Sequence, residues 1–252
     1  MNLDIQYASL SKRIIAGIFD AILLVTLAVL LATGVSSILD YGNKANALQD
    51  KYAYFENLYN VDFEITEDDY ALLSTEQQEQ FQAAYEALAS DEETLYIYNL
   101  LISFTVVIIS VSALLSFLIL EFAVPLILKN GQTLGKKIFS IAIVRPDCVQ
   151  MSAVSLFIRT VLGKFAIETM VPVLLVMLAL WGVVGIIAPI MVIGIVLMQI
   201  MLAYRTDART LIHDRLALTV AVDIQSQRIF AAKEDQLAYA EKLRNEADNS
   251  VY

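Results

Sequence analysis

Cysteine and histidine are almost absent from this chain of 252 residues, which carries one of each. Cys148 alone cannot form an internal disulfide, and His213 alone cannot form a histidine cluster. A zinc site of the usual nitrogen and sulfur type needs three or four such ligands, so none is expected. We accordingly predict neither a metal nor a cofactor.

Positive charge is nearly missing from residues 40–96. This segment holds 14 of the 27 acidic residues but only Lys44 and Lys51 of the 17 lysines and arginines, a net charge of −12. The remaining basic residues flank long apolar stretches. Lys and Arg beside membrane spans stay in the cytosol, because anionic lipid and the translocation machinery hold them there. The asymmetry predicts a multi-pass cell-membrane protein with both termini cytosolic and one large acidic loop outside.

Hydrophobic residues make up 58% of the chain, and the apolar stretches predict four membrane spans. The first, about 14–38, and the second, about 98–128, each exceed the roughly 20 residues needed to cross a bilayer. Residues 165–204 carry a single charge and have the length of two tight crossings. Two crossings also return the basic residues that follow to the cytosolic side. The predicted breaks are a kink or end of the second span at Pro125, and a turn between the last two spans at Gly182, Gly185 and Pro189.

Three further elements are predicted outside the spans. The acidic segment shows two helical stripes, and Thr75 to Gln78 resembles a capping box that opens its second helix. Residues 141–144 and 219–222 are β-prone and could pair as a short cytosolic element. The C-terminal tail is predicted to be an amphipathic helix. The stripe residues are Ala45, Leu48, Tyr52, Phe55 and Tyr59, then Phe81, Tyr85 and Leu88, and in the tail Ile229, Phe230, Leu237, Ala240 and Leu243.

The predicted fold class is an all-α membrane protein with four transmembrane helices and an extracellular helical insertion between the first two. The predicted segments are 1–39 (cytosolic N-terminus and first span), 40–96 (acidic insertion), 97–128 (second span), 129–155 (basic connector), 156–204 (third and fourth spans), 205–222 (cytosolic block ending the body) and 223–252 (tail).

The first span contains two charged residues, Arg13 and Asp20, which are seven positions apart and share one helix face. A charge at the centre of a span costs about 2.5–3.5 kcal/mol and somewhat less near its edge, so a partner or a function must offset it. A structural ion pair that locks the first span to the others and a transport role both fit this pattern.

Two more acids, Glu121 and Glu168, fall in the inner halves of the second and third spans. Acids from three spans could converge with Asp20 on one cavity, where a proton or cation could exchange. The alternative is that Glu121 and Glu168 extend to the inner interface or pair with Lys and Arg.

Two polar blocks follow the second and fourth spans. GQTLGKK, which includes Gly131, Gln132, Gly135 and Lys136, is not a phosphate-binding P-loop: its glycine spacing is one residue short and no strand precedes it. In YRTDARTLIHD, Arg205, Arg209 and His213 share a helix face. His213 beside Asp214 suits either a proton-linked switch or a hydrogen-bonded structural pair.

These blocks resemble the RDD family of bacterial and archaeal membrane proteins. The matching sequences are KRIIAGIFD with Arg13 and Asp20, GQTLGKKIFSIAIV, and RTLIHDRLALTVAV with Asp214, together covering about 9–222. The acidic insertion is longer than the typical family loop, and the tail lies outside the pattern. The resemblance implies a transporter with Arg13, Asp20 and Asp214 as key positions, because some members resemble sodium–proton antiporters in activity.

Two functions from different classes remain open. The first is a secondary transporter that exchanges a monovalent cation for protons, with Asp20 or Glu121 as the protonated acid. Four spans are few for a complete path, so a homo-oligomer is expected. The second is an assembly protein whose acidic insertion binds an extracellular or membrane protein partner. In both, the lipid bilayer and anionic lipid at the cytosolic face are the expected surroundings. We predict no enzymatic activity, because no catalytic arrangement of side chains is recognisable, and no nucleic-acid partner.

Overall fold

The architecture was taken from a computed structural model that describes residues 5–180, 182, 184–205, 208 and 210–249. It is mainly helical, with one two-stranded sheet. In chain order the α-helices are α1 (Leu10–Ile38), α2 (Tyr41–Tyr59), α3 (Glu67–Ala71), α4 (Thr75–Ser90), α5 (Glu92–Phe117), α6 (Val124–Leu128), α7 (Leu134–Ile138), α8 (Ala153–Phe157), α9 (Val171–Leu180), α10 (Ile187–Arg205), α11 (Ile212–Leu216) and α12 (Lys233–Asn249).

Within the described residues, four helical stretches are long and apolar enough to cross a membrane. They are Leu10–Ile38, Glu92–Leu128, Ala153–Leu180 and Ile187–Arg205. The predicted number of spans is thereby confirmed, although the helices extend past the predicted spans. The second begins at Glu92 because Asp91 accepts hydrogen bonds from the backbone N–H and hydroxyl of Thr94, at 2.9 and 2.7 Å.

The third and fourth spanning helices are separated by a short turn that contains two glycines. Gly182 and Gly185 both have positive φ, +72° and +48°, a conformation that glycine adopts without a steric penalty. Pro189 lies in the first turn of α10 and not in the break. Proline is tolerated there because the first N–H groups of a helix have no intrahelical partner.

Two stretches of the spanning helices are π-helical, with hydrogen bonds to the fifth residue in place of the fourth. Residues Leu118–Ala123 join α5 to α6, and Ile158–Met170 join α8 to α9. The first π segment lies just before Pro125, and no helix ends at this proline. Proline has no N–H, and in a regular α-helix its ring would crowd the carbonyl four residues earlier. The wider turn accommodates the proline, so the predicted kink takes the form of a π segment.

The predicted β pair is confirmed as β1 (Ile141–Val144) and β2 (Val220–Asp223), which run antiparallel with Ile141 opposite Asp223. The second strand begins one residue later than predicted. The N-terminal segment also pairs with β2, since Tyr7 forms a β-bridge with Val222 and the Ala8 N–H donates to the Ala221 carbonyl at 3.0 Å. This small sheet is among the most deeply buried parts of the chain.

The chain divides into two compact units, one of residues 1–24 and 117–252 and the other of residues 25–116. In the second unit, α2 and α4 pack together as the two stripes predict. The capping box is one residue earlier than predicted: Ser74 is the N-cap, and Gln77 bonds back to its N–H at 2.9 Å. The second stripe is also shifted, because Ala84 and Leu88 are buried whereas Tyr85 is 59% exposed. Phe81 instead packs edge-on against Phe63 and Tyr70.

The tail helix α12 begins at Lys233, and the residues before it return to the sheet region. Phe230 is buried and bridges Val149. Tyr239 on α12 packs against the Phe230 ring, with the Arg228 guanidinium 4.2 Å from the Tyr239 ring centroid. Leu237, predicted to lie on the apolar face, is 58% exposed. Tyr239 therefore connects the helix to the sheet region, and Leu237 does not belong to its buried face.

Candidate functional site

Asp214 lies at the centre of a buried cluster of ion pairs in the first unit. Its carboxylate accepts hydrogen bonds from Arg159 Nε at 3.0 Å and Arg159 Nη2 at 2.7 Å, both on Oδ1. Arg13 Nη2 donates to Oδ2 at 3.0 Å. The Asp214 side chain is fully buried. We call Arg13, Arg159 and Asp214 the Asp214 cluster; it joins the first span, the third span and the short helix α11.

The electrostatics of the Asp214 cluster favour an ionised carboxylate. Burial alone would raise the pKa of Asp214, but the positive charges of Arg159 and Arg13 more than compensate, and the pKa is held well below its usual range. The Leu211 N–H adds a further donor at 3.1 Å from Oδ2. A carboxylate held in this way is a fixed structural charge and not a group that exchanges protons near neutral pH.

His213 and Glu168 form a second pair, which contacts the Asp214 cluster because His213 Nε2 lies 3.5 Å from Asp214 Oδ1. Glu168 accepts from the His213 backbone N–H at 2.9 Å, and its other oxygen lies 2.8 Å from His213 Nδ1. Burial lowers the pKa of His213, which favours the neutral ring at neutral pH. Gly163 permits this contact, because a Cβ there would lie 2.7 Å from His213 Cβ. The two predicted site residues are thus brought together, in a bond that docks α11 on the third span.

Glu121 forms an ion pair with Lys164, so the acid predicted in the second span has a cation from the third as its partner. Glu121 lies in the first π segment, and its side chain is 4% exposed. Lys164 lies in the second π segment, five residues after Arg159, which is the repeat that π hydrogen bonding aligns. The two π segments therefore bring the Glu121 carboxylate close to two cations, Lys164 and Arg159.

Asp20 is held by neutral donors and not by a salt bridge. Thr133 Oγ1 donates to Oδ2 at 2.5 Å, and the Gly135 N–H donates to Oδ1 at 2.8 Å. Both donors belong to GQTLGKK, so Asp20 fixes the start of α7 against the first span. A Cβ at Gly135 would lie 2.9 Å from Asp20 Oδ1 and overlap the Ala16 carbonyl oxygen. The second glycine of the block is thus required by the close approach of α7 to α1.

The first half of GQTLGKK connects the second span to the sheet. Gly131 has φ +59°, and a Cβ there would lie 2.5 Å from Met151 Cε and 2.9 Å from Ile143 Cβ. Gln132 Nε2 donates to the Ile141 carbonyl at 2.9 Å. Both contacts fix the loop against the β pair, which explains the block without a nucleotide.

A cavity of about 260 Å³ lies between these groups. Its charged lining residues are Arg13, Asp20, Lys136, Arg159 and Lys164, and His213 also lines it. Much of the remaining wall is aliphatic, including Ile14, Ile141 and Ile143. We call it the Asp20 cavity, since Asp20 is the carboxylate among the described residues that line it. Glu121, Glu168 and Asp214 do not line it.

Lys136 differs from the other cations that line the cavity. Its Nζ lies 3.3 Å from Thr133 Oγ1, and within the described part of the chain no ion pair joins it to a carboxylate. Burial lowers the pKa of Lys136 to about 8; the positive charges of Arg159 and Lys164 act in the same direction, and those of Glu121 and Asp20 oppose them. The charge of Lys136 therefore changes just above neutral pH.

Three residues of this site were missed by sequence reasoning: Arg159, Thr133 and Lys164. Arg159 and Lys164 are cations five residues apart next to a long apolar stretch, a spacing that a π turn aligns but an α-helix does not. Thr133 carried no signal apart from its position inside GQTLGKK. Arg209, predicted to contribute a charge, lies outside the described residues.

In the comparison against family models, residues 7–218 match the model of the RDD family. Neither the comparison with curated proteins nor that with solved structures gave a significant match. The match covers most of the chain, including Arg13 and Asp20 of the first span and the block that contains Asp214. The chain belongs to the RDD family, and with its four apolar helices it is a multi-pass membrane protein.

Proposed function

We propose that this RDD-family protein is a proton-linked secondary transporter whose exchange site is the Asp20 cavity. The observation that carries the proposal is the separation of the charged groups into two classes. The carboxylates of Asp214, Glu121 and Glu168 do not line the cavity. Each bonds a guanidinium, ammonium or imidazole group that does. Asp20 and Lys136 face the cavity without such a partner. A carboxylate and an ammonium group that face a cavity within a set of paired charges form an arrangement suited to proton coupling.

Monovalent cation exchange for protons, as the sequence predicts, stays a prediction within this proposal. It requires Asp20 to lose a proton and accept the cation, with Thr133 and the Gly135 amide releasing the carboxylate as the cation binds. The four basic side chains that line the same cavity oppose a cation there, so its binding would need Lys136 to be neutral. Cation affinity at this site should then rise with pH.

The decisive experiment is flux through purified protein in proteoliposomes carrying an imposed pH gradient. Asp20→Asn removes the charge but keeps an oxygen that can accept from the Gly135 amide. We expect wild type to dissipate the gradient when its substrate is present and Asp20→Asn to lose this activity. The matched control is Asp223→Asn, because Asp223 pairs with Lys12 outside the cavity. Unchanged flux in Asp20→Asn would remove the proposal.

A larger assembly completes the proposed transporter. Four spanning helices offer few walls for a translocation path, so we propose a homo-oligomer in which the Asp20 cavity opens on a path between copies. We place both termini in the cytosol, with the basic residues there contacting anionic lipid. Labelling of single cysteines introduced at Lys12 and at Lys44 from either side of intact cells checks this orientation.

A second candidate function is supported by the surface of the α2–α4 hairpin. Tyr54 and Tyr85 are both 59% exposed, and Leu72 is 84% exposed, on a segment of net charge −12. Exposed aromatic side chains are enriched where proteins bind partners. Under this hypothesis the α2–α4 hairpin binds an extracellular or membrane partner, and Asp20 and Asp214 have structural roles. Recovery of a stoichiometric partner by wild type but not by Tyr54→Ser/Tyr85→Ser, with flux absent from both, would favour it over transport.

A further inference from the structure

The cations of the Asp20 cavity lie in front of the carboxylates that neutralise them. Arg13 and Arg159 line the cavity, whereas the Asp214 carboxylate they share is fully buried behind them. Lys164 lines it, whereas its partner Glu121 is 4% exposed and does not. The three cations outnumber the two carboxylates by one, and a molecule in the cavity meets the positive ends of these pairs first.

Lys136 adds an ammonium group that no carboxylate of the described residues neutralises at ion-pair distance. It projects from α7, and its nearest hydrogen-bonding partner is the Thr133 hydroxyl at 3.3 Å. The hydroxyl of Thr133 is itself committed as a donor to Asp20. The ammonium therefore has donor capacity left for an acceptor in the cavity, because it carries three N–H groups.

The rest of the lining sets the size and character of the ligand. A volume of about 260 Å³ corresponds to roughly eight or nine waters at about 30 Å³ each. Much of the wall is aliphatic, from Ile14 on the first span and Ile141 and Ile143 on β1. An inorganic ion would leave this apolar surface against water, whereas a short hydrocarbon group would cover it.

We propose that the ligand of the Asp20 cavity is a small organic anion, a short-chain monocarboxylate being the simplest, with its carboxylate on Lys136 and its hydrocarbon group against the isoleucines. This inference rests on the proposed function and names the substrate class of the same site. It replaces a monovalent cation by an anion as the transported species.

Anion binding is coupled to a proton through Lys136. The groups facing it are Asp20 from the first span, Glu121 from the second, and Arg159 and Lys164 from the third. With the pKa of Lys136 near 8, the anion binds with the ammonium form, and loss of the proton above that pH releases it. The protein would thus carry one proton with each anion. A pH gradient alone could then drive anion uptake.

Calorimetric titration of the purified full chain with sodium butyrate, in detergent and in vesicles of neutral lipid, tests the inference. We expect binding that weakens about tenfold between pH 7 and pH 9. In Lys136→Gln, affinity should fall at least tenfold at pH 7 and lose its pH dependence, and Lys136→Arg should keep binding at pH 9. The matched control is Lys137→Gln, since Lys137 is the exposed neighbour in sequence and does not line the cavity.

Three outcomes separate the inference from the proposed function. Butyrate affinity equal in wild type and Lys136→Gln overturns the inference. Proton flux that requires Na⁺ and ignores butyrate also overturns it, while leaving the proposed transporter in place. Binding of butyrate that depends on Lys136, without flux in proteoliposomes, supports the anion site and removes transport. Sodium chloride in place of butyrate should give no heat; equal binding of chloride would contradict the assignment to an organic anion.

Discussion

Asp214 and Asp20 are the same side chain in two different surroundings of the first unit. Asp214 is fully buried, with two guanidinium groups and a backbone amide on its two oxygens. Among the described residues, the hydrogen-bond donors to Asp20 are a hydroxyl and an amide, and Asp20 faces a cavity. A carboxylate paired with buried cations is fixed by the cost of leaving those cations uncompensated, whereas one held by neutral donors can change its charge at lower cost. Under the proposed function, this difference separates an acid that holds the fold together from an acid that takes part in exchange.

The largest effect is expected from Asp214→Asn. Arg13 and Arg159 would then share a neutral amide, and removing one member of a buried ion pair destabilises a protein by about 3–5 kcal/mol. Thermal unfolding in detergent should show this loss above pH 4. Because the pKa of Asp214 is held below its usual range, wild type loses this stabilisation as pH falls below about 4, and the variant should lack that dependence. A variant as stable as wild type would contradict the structural role.

Gly135→Ala should come next, because it disturbs the contact that positions Asp20. The new Cβ would lie 2.9 Å from Asp20 Oδ1 and closer still to the Ala16 carbonyl oxygen, and overpacking of this kind costs about 1–3 kcal/mol. The matched control is Gly194→Ala, where a Cβ meets nothing within 4 Å. The control should unfold at or slightly above the wild-type temperature, since alanine favours a helix over glycine. Equal unfolding temperatures in the two variants would show that α7 does not pack as described.

Asp20→Asn is expected to have a smaller effect on stability, about 1–2 kcal/mol, which is typical for weakening a hydrogen bond to a charged group. The amide keeps an acceptor for Gly135, and the Thr133 hydroxyl can reverse its role and accept. This small loss sharpens the comparison with Asp214→Asn, since the substitution is the same. A loss of 3 kcal/mol or more would place Asp20 with the fixed charges and weaken its proposed role in exchange.

The smallest effect is expected from Asp223→Asn, which removes a partly exposed pair with Lys12 at 2.5 Å. Exposed ion pairs contribute about 0–1 kcal/mol. A hydrogen bond from Lys12 lowers the pKa of Asp223, so this contribution is present above pH about 4 and is lost as the carboxylate protonates. Urea titrations at pH 7 and pH 3 should differ slightly less in the variant than in wild type. A change above 2 kcal/mol would indicate that Asp223 holds β2 in place.

Much of the fold follows from patterns that a sequence displays directly. Four apolar helices follow from hydropathy and length, and the β pair follows from the β-branched residues of 141–144 and 220–222. The glycine turn between the last two spans follows from Gly182 and Gly185. These features depend on local composition, which tertiary contacts did not overrule.

The pairing of the charges could not be predicted, because it depends on helix geometry that the sequence does not display. An α-helix places Glu168 one turn after Lys164 and suggests that the two interact. In the structure their partners come from other elements, since Lys164 pairs with Glu121 of the second span and Glu168 with His213 of α11. The pattern of the second stripe also predicted a buried Tyr85. In the structure the small Ala84 is buried instead, and Tyr85 is exposed.

The bond between Arg13 and Asp214 joins residues 201 positions apart in the sequence, and the bridge between Tyr7 and Val222 joins residues with a similar separation along the chain. Both attach the beginning of the body to its end. The ribosome adds Asp214 after all four hydrophobic helices have been made, so neither contact can form during most of synthesis. A chain truncated before this point should enter the bilayer yet fail to close its own charge network. The charge network and the third pairing of the sheet can therefore form only after the block that contains Asp214 and Val222 has been made.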